Sequence, residues 1–425
     1  MDRQGARRRL RPAGPSTAAA LLLALVMALP ARAETVERAS ALLDAGEIVA
    51  AVRILEPLAK DGDASAEYLL GKTHLDGIGL PQDFTAAARW IEKAAEKDDA
   101  RAQNLLGRLY AQGLGVERDA GAAMRWMRRA AEKGDPVHQY DLGILLDDAG
   151  MGAQDRQEAA RWFEAAAAQG HAAAKTSLGL AYQQGAGVSK DLARAARLFG
   201  EATDAGDARA QNNLGLMLAR GEGMPQDYER AVELFRKAAT QGQSQAMYNL
   251  GVMYENGFGI DRDEAKAREL YAQAGRTGGD SATDAVSDSG LLYDPRLQPL
   301  DMTKARSEDF AAAAGNGDPL AMFLLGYVEA SDETRPGGAS RAAAWFEKAA
   351  GLGLPAAMAN LGLLHIRGRG VPQDYVVGYM WLNLAAAAGL SEAATLRDRV
   401  GAAMTPTQLA EAHHLVESRW QAIRK

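Results

Sequence analysis

A glycine returns along this chain with an almost fixed period. Gly71, Gly107, Gly143, Gly179, Gly215 and Gly251 are each 36 residues apart, Gly290 follows after 39, and Gly326 and Gly362 after 36 each. A period of that length marks stacked supersecondary units, each touching mainly its neighbours, rather than one globular core. The stretch 210–242, AQNNLGLMLARGEGMPQDYERAVELFRKAATQG, shows one unit. Ala210, Leu214, Met217 and Leu218 fall at helical spacing and form an apolar stripe. Gly215 sits on that stripe. A mid-helix glycine costs about 1 kcal/mol relative to alanine, so its recurrence predicts a contact too close for a Cβ. Gly221 is placed to end the helix in the left-handed region, Gly223 lies in the turn, and Asp227 is placed to cap a second helix. That helix carries Ala231, Leu234, Phe235, Ala238 and Ala239 on one face, and Gly242 ends it. Two such short helices cannot bury their apolar faces alone, so neighbouring copies must cover them.

The pattern divides the 425 residues into a series. Residues 1–33 read as a secretory signal peptide: Arg7, Arg8, Arg9 and Arg11 are followed by an apolar run from Ala18 to Leu29 and the small-x-small sequence Ala31-Arg32-Ala33. The run is shorter than the roughly 20 apolar residues a membrane span needs, so cleavage after Ala33 and a periplasmic or secreted location are expected, with no stable span afterwards. Residues 34–63 read as an N-terminal capping half-repeat. Repeats 1–6 occupy 64–275, an irregular repeat or hinge 276–318, repeats 8 and 9 residues 319–389, and capping helices 390–425. In the seventh unit Ser289 replaces the usual leucine and Pro295 enters the turn. At the C-terminal end, Thr405-Pro406-Thr407-Gln408 forms a capping box with proline at the first helical position.

The 48 basic and 55 acidic residues include six arginines and one aspartate within 1–33, so the mature chain carries 42 and 54, a net charge of −12. Such an acidic chain is a poor partner for nucleic acid or anionic lipid. The absence of cysteine excludes disulfides, an N-terminal lipidated cysteine and a thiol nucleophile. Gly221-Glu222-Gly223 and its equivalents lack the lysine, third glycine and preceding strand of a phosphate loop. The six histidines show no ligand spacing: His74 and His365 take the slot of Tyr110, Tyr182, Tyr254 and Tyr293, His171 takes that of Asp135 and Asp207, His138 is isolated, and His413 and His414 point to different sides of a helix. No metal, cofactor or catalytic residue is therefore expected. Nineteen residues after the repeated glycine stand Trp90, Trp126, Trp162, Leu198, Leu234, Leu270, Trp345 and Trp381, and periodicity assigns them to core packing.

The Leu-Gly pair, the aromatic three residues on, the Gly-x-Gly turn, the aspartate cap and the Ala-x-x-Trp-x-x-x-Ala-Ala-x-x-Gly helix together resemble the Sel-one-like repeat (SLR) family of tetratricopeptide-type solenoids. The likeness covers about residues 46–389, and GYMWLNLAAAAGL followed by MTPTQL is similar to the close of exported bacterial members. The resemblance implies an all-α, right-handed superhelical solenoid of about nine 36-residue helix-turn-helix repeats with capping helices, its first helices lining a concave face. It implies protein binding without catalysis: adaptors, regulators of sensor kinases or partners of cell-wall enzymes. A cysteine-rich branch linked to β-lactam binding fits poorly, and a hydrolase acting on β-lactam or cell-wall material is the remote alternative.

In related solenoids the residue three before the glycine faces the groove. That row is Tyr68, Asn104, Tyr140, Thr176, Asn212, Tyr248, Ser287, Phe323 and Ala359. Aromatics are enriched at binding hot spots, and asparagines can hydrogen-bond an extended peptide backbone. Lys72, Arg108 and Tyr327, one residue after the glycine, share the face. The expected groove is thus Tyr68, Lys72, Asn104, Arg108, Tyr140, Asn212, Tyr248, Phe323 and Tyr327, binding a protein or peptide of the cell envelope. Packing of the aromatics between adjacent first helices is the alternative.

Overall fold

The computed structural model describes residues 35–147, 152–278, 290–294, 297, 307–331 and 336–423. The expected signal peptide, Ser287 and most of the irregular seventh unit lie outside them. All regular structure among the described residues is helical. A helix at 35–44 (α1) and α2 (Ile48–Lys60) open the chain. Six pairs follow: α3 (Ala64–Asp76) with α4 (Phe84–Glu96), α5 (Ala100–Gln112) with α6 (Ala120–Ala131), α7 (Pro136–Asp147) with α8 (Ala153–Ala168), α9 (Ala172–Gln184) with α10 (Leu192–Asp204), α11 (Ala208–Arg220) with α12 (Tyr228–Thr240), and α13 (Ser244–Asn256) with α14 (Glu264–Gly278). After the irregular unit and α15 (Ser307–Gly315) come α16 (Pro319–Ser331) with α17 (Gly338–Gly351) and α18 (Pro355–Arg367) with α19 (Tyr375–Ala387). The end caps are α20 (Ser391–Ala403) and α21 (Pro406–Ile423). The N-terminal cap therefore holds two helices where the sequence suggested half a repeat.

The repeated glycine is explained by one contact. A Cβ on Gly143, Gly179, Gly215, Gly251 or Gly326 would come within 2.5–2.8 Å of a ring carbon of Phe163, Phe199, Phe235, Tyr271 or Phe346 respectively. The ring twenty residues later packs closely against the glycine of its partner helix. Phe163, Phe199, Phe235 and Phe346 are buried, and each such burial contributes roughly 1.5–3 kcal/mol. This corrects the expectation for the position before it: Trp90, Trp126, Trp162 and Trp345 are only half-buried. They lie on the flank of the core, and a cation stacks on the ring of three: Lys93 on Trp90 at 4.2 Å, Arg129 on Trp126 at 4.9 Å and Lys348 on Trp345 at 4.2 Å. Trp381 is the exception and is buried.

The turn follows from its residues. Gly221 and Gly223 adopt φ of +69° and +72°, a region closed to most L-residues. Gly223 also approaches the backbone of the preceding repeat, where a Cβ would meet the Leu192 carbonyl at 2.7 Å. The Gln226 side-chain amide donates to the Ala219 carbonyl, at 2.9 Å, and the Asp227 amide donates to the Leu218 carbonyl, at 3.0 Å. The Asp227 carboxylate then accepts from the Arg230 amide, capping α12. His171 has the same role, its Nδ1 accepting from the Ala174 amide at 3.1 Å. At the C-terminal cap, Thr405 and Gln408 exchange the two bonds of a capping box.

Two features depart from a simple stack. The described core falls into four clusters along the chain; the buried residues of the third end at Ala267 and those of the fourth begin at Ala314, with Leu291, Leu292, Tyr293 and Leu297 packed on the fourth. Residues 290–294 are not helical, although Gly290 keeps the pattern. Asp294 precedes Pro295, and a residue before proline is driven from the helical region. Second, the C-terminal helices meet the first full repeat. Arg397 of α20, only 1% exposed, donates to the carbonyls of Gly77 and Asp76 at 2.8 Å each, closing the C-terminus of α3. Asn383 of α19 accepts from the Gln82 amide at 2.8 Å and donates to the Gln82 carbonyl at 3.1 Å. Tyr379 donates to the Gln82 side-chain oxygen, and the His413 ring stacks edge-on with Phe84 at 5.0 Å.

Candidate functional site

Successive first helices lie side by side, and the row three before the glycine falls on their contacts. The structure divides that row. Asn104, Thr176, Asn212, Phe323 and Ala359 are buried, whereas Tyr68 and Tyr140 are half-buried and Tyr248 is 51% exposed. The expectation of a uniformly solvent-facing row is thus corrected for Asn104, Asn212 and Phe323, which pack between helices. The reason is geometric. A helix side chain covers the turn N-terminal to its own Cα, which carries this row into the seam with the next repeat.

The seam is polar and regular. Asn104 Nδ2 donates to Asp141 at 2.7 Å, and Asn249 Nδ2 donates to Asn212 at 2.8 Å, each pair separated by 37 residues. Thr176 Oγ1 donates to the Asp207 carboxylate at 3.1 Å. Asn104 Oδ1 is buried and makes no hydrogen bond among the described residues. The partners Asp141 and Asn249, with Asn360 further on, stand two before the glycine, and sequence reasoning missed that column. Its signal was present: Asp141, Ser177, Asn213, Asn249 and Asn360 are polar, in a column that also carries Leu69, Leu105 and Leu324.

The other expected groove residues border the seam. Lys72 and Arg108 are exposed. Lys72 pairs with Asp76 at 2.7 Å, and that hydrogen bond raises its pKa above the ordinary lysine value. The Arg101 guanidinium covers the Tyr68 ring at 4.5 Å. Tyr140 lies between Phe163 at 5.9 Å and His171 at 4.8 Å. Tyr248 rests on Tyr271 at 5.1 Å, whose hydroxyl donates to Glu255. Burial, then that hydrogen bond, pushes the Tyr271 hydroxyl up to about 12. Between α5 and α7 a cleft of about 510 Å3 is lined by Arg108, Asp141, Ile144 and Leu145 among others. Phe323 and Tyr327 lie together 5.9 Å apart, and both contact Tyr293, at 6.0 and 5.1 Å. The structure thus brings Phe323 and Tyr327 into one site and distributes the other expected residues along repeats 1 to 6.

Such a surface supplies amide and carboxylate hydrogen-bonding groups, aromatic faces and scattered cations. It suits recognition of another polypeptide. Among the described residues no group of three or more histidine, aspartate or glutamate side chains is arranged to hold a metal ion. No described helix is long and apolar enough to cross a membrane.

Comparisons with known proteins agree with this geometry. The Sel1 repeat matches residues 64–99, 100–135, 139–171, 172–207, 208–243, 244–278, 319–354 and 355–390, passing over the irregular unit. A Sel1 repeat protein from Oxalobacter formigenes is 28% identical, with a TM-score of 0.53, and the match covers 62% of this chain and 99% of that one. A protective antigen of uropathogenic Escherichia coli with an SLR fold is 26% identical over 91% of this chain and 95% of its own, with a TM-score of 0.33. None of the curated proteins compared matches the chain. Proteins built from Sel1 repeats are in general non-catalytic scaffolds for protein–protein interaction. Eight matched repeats, on helix pairs whose glycines, caps and ring contacts recur in the same places, make this chain a member of the Sel1 repeat family.

Proposed function

We propose that the chain is an exported, non-catalytic scaffold whose first-helix face captures a partner protein in the bacterial envelope. The observation that carries this reading is the exposed Tyr248 beside the half-buried Asn249, together with the Arg108–Ile144 cleft and the half-buried Asp141 that lines it. The partly exposed amide of Asn249 and carboxylate of Asp141 suit backbone hydrogen bonds, and the tyrosine adds apolar area at small entropic cost. Export rests on residues 1–33. A regulator of a sensor kinase or of a cell-wall enzyme is the finer form of the same reading, and the family resemblance supports it.

A photocrosslinking amino acid at Tyr248 should trap a partner in the envelope fraction, and the same group at Leu352, exposed in an inter-repeat turn, should not. Equal trapping from both positions contradicts the assignment of the face. Recovery of an intact N-terminus from that fraction contradicts cleavage after Ala33.

A further inference from the structure

The seventh unit is the place where this chain stops being a repeat, and what it does instead is informative. Residues 290–294 run non-helically across the first helices of repeats 8 and 9. The Leu292 amide donates to Asn360 Oδ1 at 2.7 Å, and Asn360 Nδ2 donates to the Leu292 carbonyl at 2.9 Å. One fully buried asparagine on α18 thereby holds both backbone groups of one residue. The next side chain, Tyr293, sets its ring edge-on against Phe323 and Tyr327 of α16, with interplanar angles of 61° and 77°. Leu291, Leu292 and Leu297 pack on the C-terminal core cluster. Asp294 is buried, and its carbonyl accepts from the Leu297 amide at 3.0 Å.

Two observations separate this arrangement from an ordinary surface loop. First, Asn360 belongs to the same column as Asp141 and Asn249, which in repeats 3 and 6 meet an asparagine of the preceding repeat. In repeat 9 the facing residue is the apolar Phe323, and Asn360 spends its amide on a main chain instead. Second, Asn360 holds both backbone groups of Leu292, as Asn383 holds those of Gln82, and here the Phe323–Tyr327 pair also takes up an aromatic ring one residue later. That division, main-chain bonds for affinity and alternate pockets for side chains, is how folds take extended peptides.

We propose that residues 290–294, Gly-Leu-Leu-Tyr-Asp, are a built-in competitor occupying the groove of repeats 8 and 9. The external ligand of that groove is an extended partner segment of the same chemistry, two aliphatic residues followed by tyrosine and aspartate, which binds by displacing it. This proposal rests on the reading of the first-helix face as a polypeptide-binding surface and names the chemistry it takes. Tethering gives the internal segment an effective concentration on the order of millimolar. A partner's apparent affinity is reduced by the fraction of chains whose groove is filled.

The test is fluorescence anisotropy with a labelled peptide of residues 290–297, Gly-Leu-Leu-Tyr-Asp-Pro-Arg-Leu, added to the full mature chain. The Leu292→Pro/Tyr293→Ala double variant removes the donated N–H and the ring of the internal segment and leaves the groove intact. The expected result is binding to this variant on the order of tenfold tighter than to the parent, lost when the peptide itself carries proline at its third position. Asn360→Ala should abolish binding, and if that buried change unfolds the chain by circular dichroism, Tyr327→Ala, at a half-buried site, serves the same purpose. Equal affinity for parent and double variant overturns self-occupation. Binding that survives both groove variants places the peptide elsewhere and overturns the site. A parent chain that dimerises through this segment assigns the groove to a second copy and also overturns the proposal. Absence of binding to any chain overturns it too, while crosslinking at Tyr248 independently decides the broader reading of the face.

Discussion

Replacing Arg397 should weaken the junction between the C-terminal cap and the first full repeat, and the structure gives the size. Its guanidinium is almost fully enclosed and makes two 2.8 Å bonds to carbonyls at the C-terminus of α3, 320 and 321 residues away. The helix dipole places negative charge at that end, which favours the cation. The Gly77 bond is buried and the Asp76 bond half-buried. A hydrogen bond from a charged donor is worth about 1.5–3 kcal/mol, and the second is worth about 1 kcal/mol because water reaches it. Arg397→Ala should therefore cost about 2.5–4 kcal/mol in total. The consequence extends beyond stability. Repeats that touch only neighbours fray from their ends, and the contact between α20 and α3 ties the C-terminal cap to the first full repeat. Urea unfolding followed by circular dichroism should show one transition in the parent and a separate early transition in Arg397→Ala. Arg397→Lys should fall between them, because a point charge cannot reproduce the two-pronged geometry. A loss below about 1 kcal/mol, with the transition unchanged, would refute the view that the two are joined.

Two glycines should respond to alanine with opposite signs. Gly200 of α10 has open space where a Cβ would stand, so Gly200→Ala should stabilise by about 1 kcal/mol through helix propensity, whereas Gly215→Ala drives a methyl into Phe235 at 2.8 Å and should cost about 1–2 kcal/mol net; thermal melts decide both. The junction of cap and first full repeat should loosen in acid. Burial depresses the His413 pKa, against the attraction of Asp83 and together with the repulsion of Arg397. The folded imidazole therefore stays neutral where the unfolded one takes a proton. Stability should be unaffected above the ordinary histidine pKa of about 6.5 and fall as pH drops below it. His413→Gln should reduce that slope, the remainder falling to His74 and His365, whose pKa burial also depresses, and an unchanged slope in urea titrations at pH 7.5 and 5.5 counts against the assignment.

Much of this was legible in one dimension. The 36-residue period placed the helix pairs, Gly221 and Gly223 the turn, Asp227 the cap, and Thr405 with Gln408 the last capping box. Each is decided by neighbours within a few residues, and a repeat prints that local logic again and again. Three things were less accessible. Tryptophan stands out at nineteen residues past the glycine, yet the ring that fills the glycine notch is the residue after it. A periodic stripe fixes a face to within one position, and here one position separates core from flank. The row from Tyr68 to Ala359 was ambiguous for the same reason: adjacent columns alternate between the seam and the open face, and the pairing of Asn104 with Asp141 belongs to two repeats at once. Gly290 and Tyr293 kept the phase of the repeat while Pro295 and the 39-residue spacing broke its helix. The meeting of the C-terminal helices with the first full repeat left one trace. Asn383 stands in a second-helix column that elsewhere holds Glu92, Arg128, Glu164, Gly200 and Arg236, and only Asn383 is buried there.

The claim that the first-helix face grips extended backbone is tested most directly at the Leu292 amide, by hydrogen exchange read at single-residue resolution. Bonded to the enclosed Asn360 side chain, this proton should exchange slowly in the free chain. It should lose that protection in Asn360→Ala, and also when a competing Leu-Leu-Tyr-Asp peptide fills the groove. Exchange at the unprotected rate in the parent chain would contradict the account.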